Sequence, residues 1–235
     1  MYLKTRAIVL KNTNYSESSI ISKIYTREFG VKTYILRGIR KGKSKIRTSM
    51  IQPLSIVELD VYQKTNSSIN TIKDLRNSPI LFEIQDDIVK KTVAMFMTEI
   101  INLCLTEEVS DKELFDFLEN QIIDLEQKEL SVLFPCIFML KLCNYLGVFP
   151  QGRFTKETPF FSYEEGIFTN KSDIYTASEE SSKVISHLIH GGNVNFKPSI
   201  TARKNVLNSI IKYYQFHVIR NKKVKSIDIL SEILN

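Results

Sequence analysis

Hydrophobic and polar residues change rhythm once along this chain, close to Pro79. Before that point, apolar side chains come in short runs rich in β-branched residues. Thr5–Lys11, Ser18–Thr26, Val31–Arg37, Met50–Gln63 and Ser67–Leu75 are five such runs. Within the fourth, Val57, Leu59 and Val61 alternate with Glu58, Asp60 and Tyr62. A period of two marks a strand with one buried face. Glu28-Phe29-Gly30 supplies a turn after the second run, and Gly38 ends the third. Short strands with turn signals between them predict a small barrel or sandwich.

Beyond Pro79 the spacing becomes helical. Ile88–Leu105 sets Val89, Val93, Phe96, Met97, Ile100, Ile101 and Cys104 three and four apart on one side. Ser110-Asp111-Lys112-Glu113 has capping-box form, and the helix it opens carries Leu114, Phe117, Leu118, Ile122 and Leu125. A third helix over about Leu130–Leu146 is apolar on nearly every side, so a central position is expected, with Pro135 in its first turn or at a kink. Residues 148–175 read as irregular, with Pro150, Gly152, Pro159 and Gly166 among several aromatics. Thr176-Ala177-Ser178-Glu179 caps a helix that runs to His190 and stops at Gly191-Gly192. Ile200–Arg220 is a long amphipathic helix and Ser226–Leu234 a short last one. The expected class is α+β: a five-stranded barrel over residues 1–79, then an all-α domain over residues 80–235.

Charge follows the same division. The 235 residues carry a net +6. Residues 1–80 hold 15 Lys and Arg against 5 Asp and Glu, a net of +10, while residues 81–235 hold 17 against 21, a net of −4. A basic module joined to a mildly acidic one implies a polyanionic partner for the first. Cys104, Cys136 and Cys143 are odd in number and not closely paired, which argues against a disulfide framework and fits buried small hydrophobes. Lys4, Arg6 and Lys11 interrupt any early apolar run, so no secretory signal is expected. The most apolar stretch, Phe134–Leu140, falls far short of the ~20 residues of a membrane span. A cytoplasmic setting is expected.

The sharpest local feature is the stretch from Arg37 to Arg47, with six cations and no acid. Gly38, Gly42 and Ser44 let its backbone bend close to a partner. DNA carries one charge per ~1.7 Å of duplex axis, and cations that neutralise it release condensed counterions. Such a segment supplies affinity more than sequence choice. The bland alternative is a solvated charge run, but Lys4, Arg6, Lys11, Lys23, Arg27 and Lys32 make the surrounding module basic too. A membrane surface ranks below nucleic acid, because the large apolar face of an interfacial helix is missing. The expected phosphate contacts are Arg37, Arg40, Lys41, Lys43, Lys45 and Arg47, with Arg6 and Lys32 secondary. Tyr15, Tyr25, Phe29, Tyr34 and Tyr62 interleave with these cations, and core packing is the simpler role for most of them. Tyr34 shares strand parity with Lys32. If Val31, Thr33 and Ile35 face inward, Tyr34 faces out and can stack a base.

Several of these segments together resemble the RecO family. Thr5-Arg6-Ala7-Ile8-Val9-Leu10-Lys11 followed by Tyr15-Ser16-Glu17-Ser18 is similar to the family's opening, and Tyr25-Thr26-Arg27-Glu28-Phe29-Gly30 to its turn after the second strand. Arg37-Gly38-Ile39-Arg40-Lys41 through Ser44, then Gln52-Pro53-Leu54 and Ile56 to Leu59, continue the match in order. Tyr213-Tyr214, His217 and Lys225-Ser226-Ile227 through Leu230 resemble the closing helices. The resemblance implies an N-terminal OB-fold and a helical C-terminal domain. It also implies a recombination mediator in DNA repair, without an enzyme active site. Such a protein binds single- and double-stranded DNA and anneals complementary strands. With RecR, and often RecF, it helps place RecA on DNA coated by single-strand-binding protein, whose C-terminal tail it contacts. Many members carry a four-cysteine zinc site in the region matching 148–175. Here that region has neither cysteine nor histidine, but Phe149-Pro150, Phe154, Phe160-Phe161, Tyr163 and Phe168. A zinc site needs Cys or His ligands, so no metal or other cofactor is expected and aromatic packing takes its place.

Other constellations are weaker. His187 and His190 share a helix face without an identifiable third ligand. Asp86-Asp87, Glu107-Glu108, Glu164-Glu165 and Glu179-Glu180 are adjacent pairs, which point apart on a helix and make poor catalytic dyads. No phosphate-binding glycine motif and no nucleophile–base pair stand out. An RNA-binding OB-fold accessory factor of ribosome or translation is the alternative, since basic OB-folds serve both nucleic acids.

Overall fold

A computed structural model describes residues 2–41, 44–62, 69–105, 109–191 and 198–233. The five apolar runs become Tyr2–Asn14 (β1), Ile20–Thr26 (β2), Gly30–Leu36 (β3), Ile56–Tyr62 (β4) and Asn70–Asn77 (β5). They close into a barrel in the order β1-β2-β3-β5-β4. β1 is long enough to serve two neighbours: residues 2–8 pair with β4 and residues 7–14 with β2, with a register shift between Val9 and Lys11. The shift bends the strand, as an extra residue in one partner does. β3 and β5 close the barrel in parallel.

The interior is filled by Ala7, Val9, Ile24, Tyr34, Leu36, Val57, Leu59, Val61 and Leu75, among others. Ile8 and Leu10, on the opposite face of β1, are also buried. Helices cover that outer face, and they follow β5 directly: Glu83–Asp86 (α1), Ile88–Cys104 (α2) and Lys112–Gln127 (α3). Asn102 of α2 donates to the Leu10 carbonyl at 2.9 Å. Tyr25 donates its hydroxyl to the Asp111 carbonyl, and its ring meets Phe115 of α3 at 5.7 Å. Compactness accordingly places Met1–Lys128 in one unit and Glu129–Asn235 in a second. The first three helices thus group with the barrel, although the periodicity changes at Pro79.

The long fourth run is not one strand. Thr48–Ile51 forms a 3-10 turn before β4 starts at Ile56. Pro53 has no N–H to give a ladder, and Leu54 is left-handed at φ 64°. Leu54 is held there by donating its N–H to the Val9 carbonyl at 2.8 Å. The cap of α3 is Asp111 rather than Ser110, its carboxylate accepting from the Leu114 N–H. The α3 stripe of Leu114, Phe117, Leu118, Ile122 and Leu125 is buried as the spacing predicts.

In the second unit, Phe134–Tyr145 (α4) is buried on most sides, with Pro135 in its first turn. Glu179–Ile189 (α5), Ile200–His217 (α6) and Ile227–Ile233 (α7) complete its helices. Tyr214 of α6 donates its hydroxyl to the Met139 carbonyl of α4 at 2.6 Å. The segment expected to be irregular contains a small hairpin, Phe160–Phe161 (β6) with Phe168–Thr169 (β7). Phe161 packs against Phe168 at 5.4 Å and Tyr213 at 5.5 Å, and Tyr213 stacks on His217 at 4.3 Å. These rings do not fit a metal, and among the described residues no three His, Cys, Asp or Glu side chains converge as ligands. No described helix is long and apolar enough to cross a membrane.

Candidate nucleic-acid interface

Strand register decides which loops share an end of the barrel. Asn14 at the end of β1 is opposite Ile20, and Ile20 is opposite Leu36. The β1–β2 turn, residues 15–19, therefore lies beside the basic segment that leaves β3 at Arg37. Tyr62 pairs with Tyr2 of β1 and with Thr71 of β5, which in turn pairs with Ile35 near the end of β3. Two hydrogen bonds join the neighbouring loops: Arg40 donates its N–H to the Ser18 carbonyl at 3.4 Å and its guanidinium to the Ser16 carbonyl at 3.1 Å.

The basic segment is anchored. Ile39, Ile46 and Ile51 are 5%, 9% and 1% exposed and belong to the barrel core. Ile39–Lys41 forms one 3-10 turn and Thr48–Ile51 another, and the Ser44 hydroxyl accepts from the Ile46 N–H. Asn77 donates to the Met50 carbonyl at 2.9 Å, and Asn12 donates to that of Ile51. Two of these isoleucines sit next to cations that then project outward, Ile39 beside Arg40 and Ile46 between Lys45 and Arg47. Arg37, Arg40, Lys45 and Arg47 are exposed, and among the described residues none of them forms an ion pair. Lys41 closes the first turn, and Lys43 lies outside the described residues.

Three other basic residues of the barrel, Arg6, Arg27 and Lys32, are engaged by the protein itself. Arg6 donates to Glu119 of α3 through Nε and Nη2 and to the Ser78 carbonyl, and it lies 3.7 Å from Glu58. Its guanidinium is thus already engaged by carboxylates of the protein, which sets it apart from the cations of the 37–47 segment. Arg27 makes a bidentate pair with Asp116 at 2.7 and 2.8 Å. That hydrogen-bonded guanidinium holds the Asp116 carboxyl below the usual carboxylate range. Residues 81–128 carry 4 Lys and Arg against 12 Asp and Glu, so these helices neutralise the barrel face they cover and leave the 37–47 segment uncompensated. Lys32, a half-buried residue of β3, has a partner within the protein.

The outward orientation expected of Tyr34 is corrected by the fold. Tyr34 is 1% exposed and points into the barrel with Leu36, and burial pushes its hydroxyl pKa up. Val31 is buried too, so β3 has two apolar faces and its alternation gave no reliable inward set. An aromatic that does lie at this mouth is Tyr15, 63% exposed. Periodicity could not single it out, since its position depends on pairing between strands.

Residues 1–78 match the family model for the recombination protein O N terminus, and residues 85–226 match that for its C terminus. Curated relatives named DNA repair protein RecO are similar along the whole chain. Those of Flavobacterium psychrophilum and Flavobacterium johnsoniae are each 31% identical, with 100% of both chains covered. That of Porphyromonas gingivalis is 28% identical at the same coverage.

Proposed function

The chain belongs to the RecO family of DNA repair proteins, and from that premise we propose that it is a recombination mediator working in the cytoplasm at the nucleoid. It binds single- and double-stranded DNA at the barrel mouth and anneals complementary strands. With RecR, and RecF where present, it helps place RecA on DNA coated by single-strand-binding protein, whose C-terminal tail it contacts. Its role is binding rather than turnover.

The observation that carries the DNA part of this reading is the set of exposed cations Arg37, Arg40, Lys45 and Arg47, none of which forms an ion pair among the described residues. Like charges close in sequence repel one another, and a phosphate backbone relieves that repulsion while shedding its counterions. Two DNA strands repel each other for the same reason. A surface that cancels phosphate charge lowers the barrier to their meeting, so one chemistry serves both binding and annealing. The choice of protein partners rests on family membership.

The test is annealing of complementary oligonucleotides precoated with single-strand-binding protein, followed by a fluorescence-quenched pair. The protein should accelerate duplex formation well above the protein-free rate. No acceleration, with binding to bare strands intact, would remove the mediator assignment.

A further inference from the structure

We propose that Tyr15 is a base-stacking platform that biases this barrel mouth toward single strands; the proposal rests on the DNA-binding reading above. Tyr15 follows directly on β1, and the turn that carries it is well defined. Its N–H donates to the Ser19 carbonyl at 3.0 Å, Ser16 donates to the same carbonyl at 3.3 Å, and the Ser16 hydroxyl accepts from the Ser19 N–H at 3.2 Å. Arg40 grips the turn through Ser16 and Ser18. The ring is therefore presented on a fixed backbone beside the free cations, rather than on a loose tip.

The phenol ring is 63% exposed. The fold gains little from it there, since its apolar surface faces water. A cation row alone reads backbone charge, which single strands and duplex both offer. An aromatic face adds something that only unpaired bases can use, because bases within a duplex already stack on one another. Arg40 thus has two roles, a cationic neighbour for phosphate and a positioning residue for the ring.

The experiment uses the full chain with a fluorescent oligothymidylate and a duplex of equal length. Tyr15→Ala, Tyr15→Leu and Tyr15→Phe are compared with the parent over a salt series. Removing the ring should weaken single-strand binding about 5- to 150-fold, leave duplex binding and the salt slope unchanged, and be rescued by Phe. If Tyr15→Ala keeps full single-strand affinity while Arg37→Ala with Lys45→Ala lowers it, the stacking role is overturned and the DNA-binding reading stands. Equal loss on both substrates overturns it too, since stacking cannot act on closed duplex. If the double variant binds as the parent does, the underlying reading falls, and the inference with it.

Discussion

At the residue scale, what a cation does depends on whether the protein has already paired it. Arg37, Arg40, Lys45 and Arg47 should each contribute to the salt dependence of DNA binding. Replacing one with Ala should flatten the log K against log salt slope by roughly 0.7–0.9. Arg6→Ala should leave that slope alone and instead lower unfolding free energy by about 1–2 kcal/mol in a urea titration, because it strands Glu119. The Arg27–Asp116 pair predicts a pH dependence of definite sign. Asp116 is held below its ordinary pKa, so its contribution is present above the unfolded value, about 3.9, and fades as pH falls through the lower folded value. The stability gap between the parent and Asp116→Asn, measured by denaturation from pH 7 to pH 2.5, should therefore close below about pH 4.

At the element scale, most strands and helices were legible because their burial is one-sided. The α3 stripe and the alternation in β4 follow from periodicity alone. β3 was misread because it is apolar on both faces, so parity held no information about Tyr34. The break at Pro53-Leu54 was hidden for another reason: a left-handed leucine is stabilised by a bond to Val9, more than forty positions away. One small element depends on a single distant side chain. The Glu126 carboxylate accepts the N–H groups of Phe82, Glu83 and Ile84 at 2.7–3.0 Å, capping α1. Glu126→Ala should cost about 1–2 kcal/mol of unfolding free energy, measurable by urea titration, and leave DNA affinity unchanged.

At the scale of the whole molecule, charge and burial together say what folds with what. The change of rhythm at Pro79 is real, but α2 and α3 cover apolar barrel surface at Leu10 and Tyr25. A fragment ending at residue 128 should unfold cooperatively, whereas one ending at residue 79 should aggregate or bind a hydrophobic dye. Matched behaviour of the two fragments would mean that the helices are dispensable. No local pattern could reveal this, since Arg6–Glu119 and Arg27–Asp116 join positions about ninety or more residues apart. The same pairs take two arginines of this basic module out of its free positive charge.

The most direct measurement is the salt slope of single-stranded DNA binding by the full chain and by a variant with Arg37, Arg40, Lys45 and Arg47 all replaced by Ala. The slope should fall by about 3, at roughly 0.7 per phosphate contact on single strands, with far-UV circular dichroism unchanged. A folded variant that keeps the parental slope would contradict the placement of DNA at this end of the barrel.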